Sequence, residues 1–366
     1  MSIKAVISGG GTGGHIYPAI AIANAIKELD SKAEILFVGA EGKMEMEKVP
    51  EAGYKIIGLP VRGLQRKFSL STIGTIFRLL RSIYKSRKII KSFKPDIAIG
   101  VGGYASGPLC FVASRKGVPI LLQEQNSYPG ITNKLLASKA SKICVAYDDM
   151  DRFFDKSKLV LTGNPVRQDI INVDSLKDQA YKFYGLDSSK KVIVIVGGSL
   201  GARTLNESVL NSLDEIKDNK DIQIIWQTGS YYAKEMEERI KGASIENLYK
   251  YTFLKRMDYI YAIADLIISR AGACTISELC LTAKPTILVP SPNVAEDHQT
   301  KNAMALSSKN AAVLVRDKDA VESLLPTALS LVNNSKELDL LSTNIEKMAF
   351  RDSARKIANL IKETVK

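Results

Sequence analysis

Lys4-Ala5-Val6-Ile7-Ser8-Gly9-Gly10-Gly11-Thr12-Gly13-Gly14-His15 lies near the start of the chain. Val192-Ile193-Val194-Ile195-Val196-Gly197-Gly198-Ser199-Leu200-Gly201-Ala202 repeats its plan about 190 residues later. Each is a β-branched apolar run, then a glycine turn, then a helix-like stretch. A strand that feeds a helix through glycines aims bare backbone N–H groups and the positive helix end at one spot, which suits an anion. Two such loops predict two similar Rossmann-like α/β domains facing one cleft, and substrates rich in phosphate.

Length and composition agree. At 366 residues the chain exceeds the size at which one core stops growing, so two domains are expected. Its 45% hydrophobic and 25% charged residues are those of an ordinary globular protein. No apolar run reaches the roughly 18 residues that span a bilayer. No signal-peptide pattern precedes the first strand, which predicts a cytoplasmic location. Cys110, Cys144, Cys274 and Cys280 have neither CxxC nor zinc spacing and read as inert core thiols.

Outward from the two loops, apolar runs alternate with helical patterns. Strands are expected at 5–8, 35–38, 56–59, 97–100, 120–123, 143–145 and 159–161, with helices such as 18–28 and 131–137 between them. Nearly uninterrupted apolar strands in βα alternation predict a buried, doubly wound parallel sheet. Thr162-Gly163-Asn164-Pro165 reads as the turn that leaves this domain. The pattern restarts with strands at 192–196, 222–227, 249–253, 266–269, 286–289 and 312–315. Residues 341–365 read as helical.

Each candidate site has more than one reading. Gly9, Gly11 and Gly14 satisfy GxGxxG, which would suit a dinucleotide oxidoreductase, although Glu41 comes late for the ribose-binding acid. Gly197-Gly198-Ser199-Leu200-Gly201 satisfies the GxSxG of a hydrolase nucleophile elbow, with Asp265 or Asp297 and His298 as partners. It serves equally as a phosphate cradle with Ser199 donating its hydroxyl. Asp149 and Asp151 form a DxD, as in metal-dependent transferases, or a solvated turn, which we favour. The chain has two histidines, His15 and His298, and both adjoin loop motifs. The turn Ser269-Arg270-Ala271-Gly272-Ala273-Cys274-Thr275-Ile276-Ser277-Glu278 would let a ligand approach backbone, with Glu278 placed to accept from a ribose diol.

The net charge of +12 is concentrated. Residues 62–94 hold ten Lys and Arg and no acid, and the remaining 41 basic residues nearly balance 39 acidic ones. Ile73, Ile76, Phe77, Leu80 and Tyr84 share one helical face, beside a stripe of Arg78, Arg81, Lys85 and Lys88. No nucleic-acid motif accompanies them. An anionic membrane surface fits, with shallow apolar insertion beside the charges.

Seven segments together resemble the peptidoglycan N-acetylglucosaminyltransferases: Gly9 to Pro18, Gly100 to Pro108, Gln123 to Asn126, Gly163 to Arg167, Gly197 to Ala202, Ser269 to Glu278, and Glu296 to Ala303. They follow that family's order over essentially the whole chain. The resemblance implies a GT-B fold. Residues 1–163 plus about 346–366 would be an acceptor and membrane-docking domain completed by a returning helix, and 164–345 a UDP-GlcNAc-binding domain. It implies an inverting, metal-independent transfer of GlcNAc from UDP-GlcNAc to undecaprenyl-diphospho-MurNAc-pentapeptide, converting lipid I to lipid II, with no cofactor. The location implied is the cytoplasmic face of the membrane. Ser199 would meet the diphosphate and Leu254 the uracil. Glu278 would hold the ribose, the turn residues Ala273, Cys274, Thr275, Ile276 and Ser277 would belong to the donor site, and His298 with Gln299 would read the sugar. Thr12, Gly13, Gly14, Asn126 and Arg167 would complete the donor pocket. Gly10, Gly11, Gly102, Gly103 and Tyr104 would receive the acceptor diphosphate. His15 and Glu124 are rival general bases, and a related enzyme acting on another lipid remains open.

Overall fold

The apolar runs form strands buried on both faces, because helices pack on either side of each sheet. The computed structural model describes residues 2–61, 71–167, 170–294 and 297–365, the side chains of 71–73 excepted. Arg62, Arg66, Lys67, Glu296 and the Ile73 side chain therefore lie outside the described residues. The chain divides into two compact units, residues 1–167 with 350–366, and residues 168–349. The division falls four residues beyond the turn at 163, and the return comes at 350 rather than 346.

The first unit runs β1 (Lys4–Ser8), α1 (Gly13–Leu29), β2 (Glu34–Ala40), α2 (Glu45–Glu51), β3 (Lys55–Leu59), α3 (Ser71–Phe93), β4 (Ile97–Gly100), α4 (Ser106–Arg115), β5 (Ile120–Glu124), α5 (Ile131–Leu136), β6 (Lys142–Val145) and β7 (Leu159–Leu161). Its seven strands are all parallel, in the order β3-β2-β1-β4-β5-β6-β7.

The second unit runs α6 (Lys177–Tyr184), β8 (Lys191–Val196), α7 (Arg203–Asn211), α8 (Leu213–Asp218), β9 (Ile222–Gln227), α9 (Ala233–Arg239), β10 (Leu248–Tyr251), α10 (Met257–Ile263), β11 (Leu266–Ser269), α11 (Ala273–Leu281), β12 (Thr286–Leu288), α12 (His298–Ser307), β13 (Val313–Leu314), α13 (Ala320–Val332) and α14 (Ser335–Glu346). Its parallel strands lie in the order β10-β9-β8-β11-β12-β13.

In both sheets the strand order reverses beside the strand that carries the glycine loop. The loop after β1 meets the loop after β4, and the loop after β8 meets the loop after β11. Open α/β sheets bind ligands in the crevice such a reversal leaves at the carboxyl ends of the strands. The topology thus puts each glycine loop where its sheet can hold a ligand.

The expected helix over 341–365 is two. α14 ends at Glu346 and α15 (Ser353–Thr364) starts afresh. The break coincides with the change of unit at residues 349–350. α15 buries Ala354, Ile357, Ala358 and Ile361 in the core that holds Ile16, Ala19, Ile22 and Ile26 of α1. Gly163 has φ +77°, and a Cβ there would lie 2.2 Å from that of Phe350. Glycine lets the outgoing chain pass against the returning one.

Candidate functional site

A pocket of about 440 Å³ opens in the second unit between the loops after β8 and β11. Gly197, Gly198 and Gly201 line it with Ala202, Arg203 and Thr204 at the start of α7, Gly272 and Thr275 at the start of α11, and Gln299 in the first turn of α12. Ser269, Arg270, Ser291, Asn293 and Asp317 also line it. Three helix N-termini therefore converge on one cavity. Neither Ala202 nor Gly272 caps its helix with a side chain. Each N-terminus carries roughly half a positive charge, so the cavity attracts an anion without needing a cationic side chain. Gly198 and Gly201 adopt φ +86° and +90°, and a Cβ on Gly201 would lie 2.1 Å from the Thr228 carbonyl oxygen.

Two of the residues expected at the donor are in the lining of this cavity, and the others of the second unit lie on its loops and on α11 and α12. Thr275 and Gln299 line it. The Ser291 amide donates to Gln299 Oε1 at 2.9 Å, which turns the Gln299 amide nitrogen outward as a donor. Ser199 is exposed at the loop tip, and its carbonyl accepts from the Ser230 amide at 3.1 Å. Glu278 is half-buried and accepts from the Tyr261 hydroxyl at 2.8 Å. Leu254 is buried, and its amide donates to Gln227 Oε1 at 2.8 Å. Ala273 and Ile276 turn into the core, and Ser277 Oγ donates back to the Ala273 carbonyl at 3.0 Å. Cys274 is half-buried in the same turn, and His298 begins α12.

Sequence reasoning missed the residues that brace the pocket. Gln227 Nε2 donates to the Gly198 carbonyl at 2.9 Å, so this buried side chain joins the glycine loop to Leu254. Arg270 donates to the carbonyls of Val289 and Pro290 and to Asp317, which also accepts from Thr204 Oγ1 at 3.0 Å. These contacts span 19 to 113 residues and have no local pattern. A polar residue ending an apolar strand, as Gln227 ends β9, is the one signal available.

The first unit's loop is built differently. Its central amide, Gly11 N–H, already donates to a carboxylate: Glu45 Oε2 at 2.9 Å, with Glu45 fully buried. Glu41, the late acid of the dinucleotide reading, instead pairs with Lys85 at 3.0 Å. His15 Nδ1 lies 3.0 Å from the Gly10 carbonyl oxygen and 3.4 Å from Thr12 Oγ1. A carbonyl can only accept, so this contact is a hydrogen bond when Nδ1 carries the proton, and in the neutral ring that tautomer puts the lone pair on Nε2. Gly102 faces the His15 ring, where a Cβ would lie 2.8 Å from Nε2, and a Cβ on Gly103 would lie 2.4 Å from the Gly10 oxygen. Both glycines let the β4 loop close on the β1 loop. Tyr104 beside them is 55% exposed.

Glu124 is 2% exposed and accepts four hydrogen bonds, from Asn126 N and Nδ2, Gly130 N and Asn133 Nδ2, at 2.8 to 3.2 Å. It pins the loop that follows β5. Thr12, Gly13, Gly14, Asn126 and Arg167 all belong to this unit. Asp149 adopts φ +58° ahead of a short 3₁₀ turn that contains Asp151. Among the described residues no group of three or more His, Cys, Asp or Glu is arranged to hold a metal.

α3 presents a two-sided surface. Ser82, Ser86, Ile89 and Ile90 are buried, whereas Ile76, Phe77, Leu80 and Tyr84 are 52 to 64% exposed. Arg81 and Lys88 are exposed and Arg78 and Lys85 half-exposed beside them. α5 adds Ile131 and Leu135, 59% and 72% exposed, which the sequence pattern did not reveal. No helix among the described residues is long and apolar enough to cross a membrane.

Comparison with known proteins agrees with this anatomy. The glycosyltransferase family 28 N-terminal domain matches residues 5–145 and the family 28 C-terminal domain matches 192–360. The UDP-N-acetylglucosamine--N-acetylmuramyl-(pentapeptide) pyrophosphoryl-undecaprenol N-acetylglucosamine transferase of Parabacteroides distasonis is 57% identical, covering 98% of this chain and 97% of its own. The chain belongs to glycosyltransferase family 28. The protein of the same name from Phocaeicola vulgatus is 58% identical, over 98% of this chain and 95% of its own. Among solved structures, MurG of Acinetobacter baumannii superposes with a TM-score of 0.77 at 26% identity, covering 99% of both chains. This family 28 chain therefore has the expected GT-B fold and is a UDP-GlcNAc-dependent glycosyltransferase. The oxidoreductase and serine-hydrolase readings of the two loops fall with that result.

Proposed function

We propose that the chain transfers GlcNAc from UDP-GlcNAc to the 4-hydroxyl of MurNAc in undecaprenyl-diphospho-MurNAc-pentapeptide, making lipid II from lipid I. The observation that carries the reading is the cavity where three helix N-termini and a glycine loop converge. That is the form a diphosphate needs, in a chain more than half identical to transferases of that name. The donor diphosphate would lie against the amides of Gly197 to Thr204 and of Gly272 to Thr275. Gln299 would donate to the sugar, and Glu278 would accept from the ribose.

The chemistry follows from these parts. The acceptor oxygen attacks the anomeric carbon from the face opposite UDP, the bond to the UDP oxygen breaks, and the configuration inverts. Nε2 of His15 takes the hydroxyl proton; the tautomer fixed by Gly10 supports this role. Glu124, with four donors already bound to its oxygens, is the weaker candidate. Negative charge growing on UDP is stabilised by loop amides already in place, with little reorganisation. Gly102 and Gly103 support the acceptor side through the His15 loop.

The acceptor's polyprenyl tail requires the enzyme to work at a membrane surface. The exposed apolar ridge of α3, flanked by Arg and Lys, supports peripheral docking to anionic lipid at the cytoplasmic face. Incubation with labelled UDP-GlcNAc and lipid I tests the assignment. Label should appear in a lipid product. UDP-GlcNAc binding with no transfer to lipid I, but transfer to another lipid, would move the acceptor assignment.

A further inference from the structure

A fully buried carboxylate that touches neither the cavity of the second unit nor the His15 ring accepts two hydrogen bonds beside the first glycine loop. Glu45, the first residue of α2, accepts the Gly11 amide on Oε2 and the Ala40 amide on Oε1, both at 2.9 Å. The backbone is shaped around it. A Cβ on Gly10 would lie 2.0 Å from Oε1, and one on Gly39 2.5 Å from Cγ. Burying a carboxylate is costly, and for stability alone a packed apolar side chain usually does as well.

The Gly11 N–H that Glu45 holds belongs to the same peptide group as the Gly10 carbonyl that His15 holds. The order is carboxylate, peptide, imidazole: Glu45 Oε2 accepts from Gly11 N–H, and Gly10 C=O accepts from His15 Nδ1–H. We propose that Glu45 is a positioning residue for His15, acting through the Gly10–Gly11 peptide. The inference rests on the reading of His15 as the base.

Two effects follow from that order. The carboxylate fixes the plane of the peptide, so the Gly10 carbonyl stays aimed at Nδ1 and the lone pair stays on Nε2. It also polarises the peptide, because an amide whose N–H donates to an anion becomes a better acceptor at its oxygen. When Nε2 takes the acceptor's proton, the imidazolium charge is met through the peptide by a carboxylate. An aspartate bonded to a catalytic histidine works in the same sense, with one peptide fewer between them.

Glu45→Gln in the full chain tests this, with the two histidines, His15 and His298, labelled for nitrogen NMR. In the wild type, neutral His15 should carry its proton on Nδ1. In the variant kcat should fall about tenfold or more, as when a residue orienting a functional histidine is lost. KM for UDP-GlcNAc should stay within about twofold. His15 should lose the Nδ1–H tautomer while His298 signals stay unchanged. Wild-type kcat in Glu45→Gln overturns the proposal, as does a fall in kcat with the His15 tautomer intact. If Glu45→Gln does not fold, the wild-type spectrum decides: neutral His15 protonated on Nε2 overturns the proposal, and the Nδ1–H form with a Gly11 amide protected from exchange upholds it. Full turnover in His15→Ala would sink the base reading instead and leave the tautomer result standing, so the two failures are distinguishable.

Discussion

His15 and Ser199 each sit on a glycine loop, and the proposed function gives them different work. If His15 is the base, as proposed, His15→Ala should lower turnover by about 10²- to 10⁴-fold. Steady-state assays should find donor affinity little changed. Ser199 lies exposed at the tip of its loop, and the proposed role for it is a hydrogen bond to phosphate. A hydrogen bond to a charged group contributes about 1.5–3 kcal/mol, so Ser199→Ala should cost roughly tenfold to a few hundredfold in kcat/KM. Covalent labelling of Ser199 by a fluorophosphonate would contradict that. The cysteines offer a simple probe of the donor site. Burial pushes the Cys110, Cys144 and Cys280 thiols up to about 12, so they stay protonated and unreactive. Half-buried Cys274, in the first turn of α11, should be the thiol that a disulfide reagent labels, and saturating UDP should slow that labelling. Glu45 shows what the sequence hides at this scale. Its partners Gly11 and Ala40 are 34 and 5 residues away, and one glutamate among many carries no mark of burial. The glycine loops were legible because their requirement is local: φ near +90° and no Cβ.

Among the elements, α3 was the most legible and α5 the least. A 3.6-residue period puts Ile76, Phe77, Leu80 and Tyr84 on one face of α3, in a run without acids. All four are exposed, whereas Ile89 and Ile90, which the sequence reading did not place, are buried. α5 is six residues long, too short for a period to declare which side is exposed. Reversing the charges of Arg78, Arg81, Lys85 and Lys88 should remove most binding to anionic vesicles, at up to about 1 kcal/mol per charge near the surface. Lys85 should contribute least, since it already pairs with Glu41. UDP-GlcNAc affinity should be intact. Equal sedimentation of variant and wild type with anionic vesicles in low salt would give α3 some other role. Every strand was foreseen to within two residues, because β-branched runs bounded by glycine and proline are short-range signals. The break between α14 and α15 was not, because it answers to a change of unit that no local pattern encodes.

At the scale of the molecule, α15 makes the first unit depend on residues far along the chain. Ile357 and Ile361 lie fully buried against α1. Ile357→Ala should destabilise the first unit by about 2–5 kcal/mol, the usual cost of emptying a core isoleucine site. Calorimetry should show one transition lowered, with the transition that UDP protects little moved. The second unit is continuous in sequence and has its own core from Ile193 to Leu341. A fragment of residues 168–349 should therefore fold alone, whereas residues 1–167 alone should expose the groove that α15 fills.

That interrupted first unit sets an order of events on the ribosome. Residues 1–167 emerge first, but the strip that seals them is made only after residues 168–349 have been translated. The unit synthesised first thus finishes folding last, with the apolar flank of α1 uncovered until then. A nascent chain arrested once residue 349 has left the ribosome, with residues 350–366 still inside, should be cut by protease in its early half while its later half resists, and arrest beyond the exit of residue 365 should protect both.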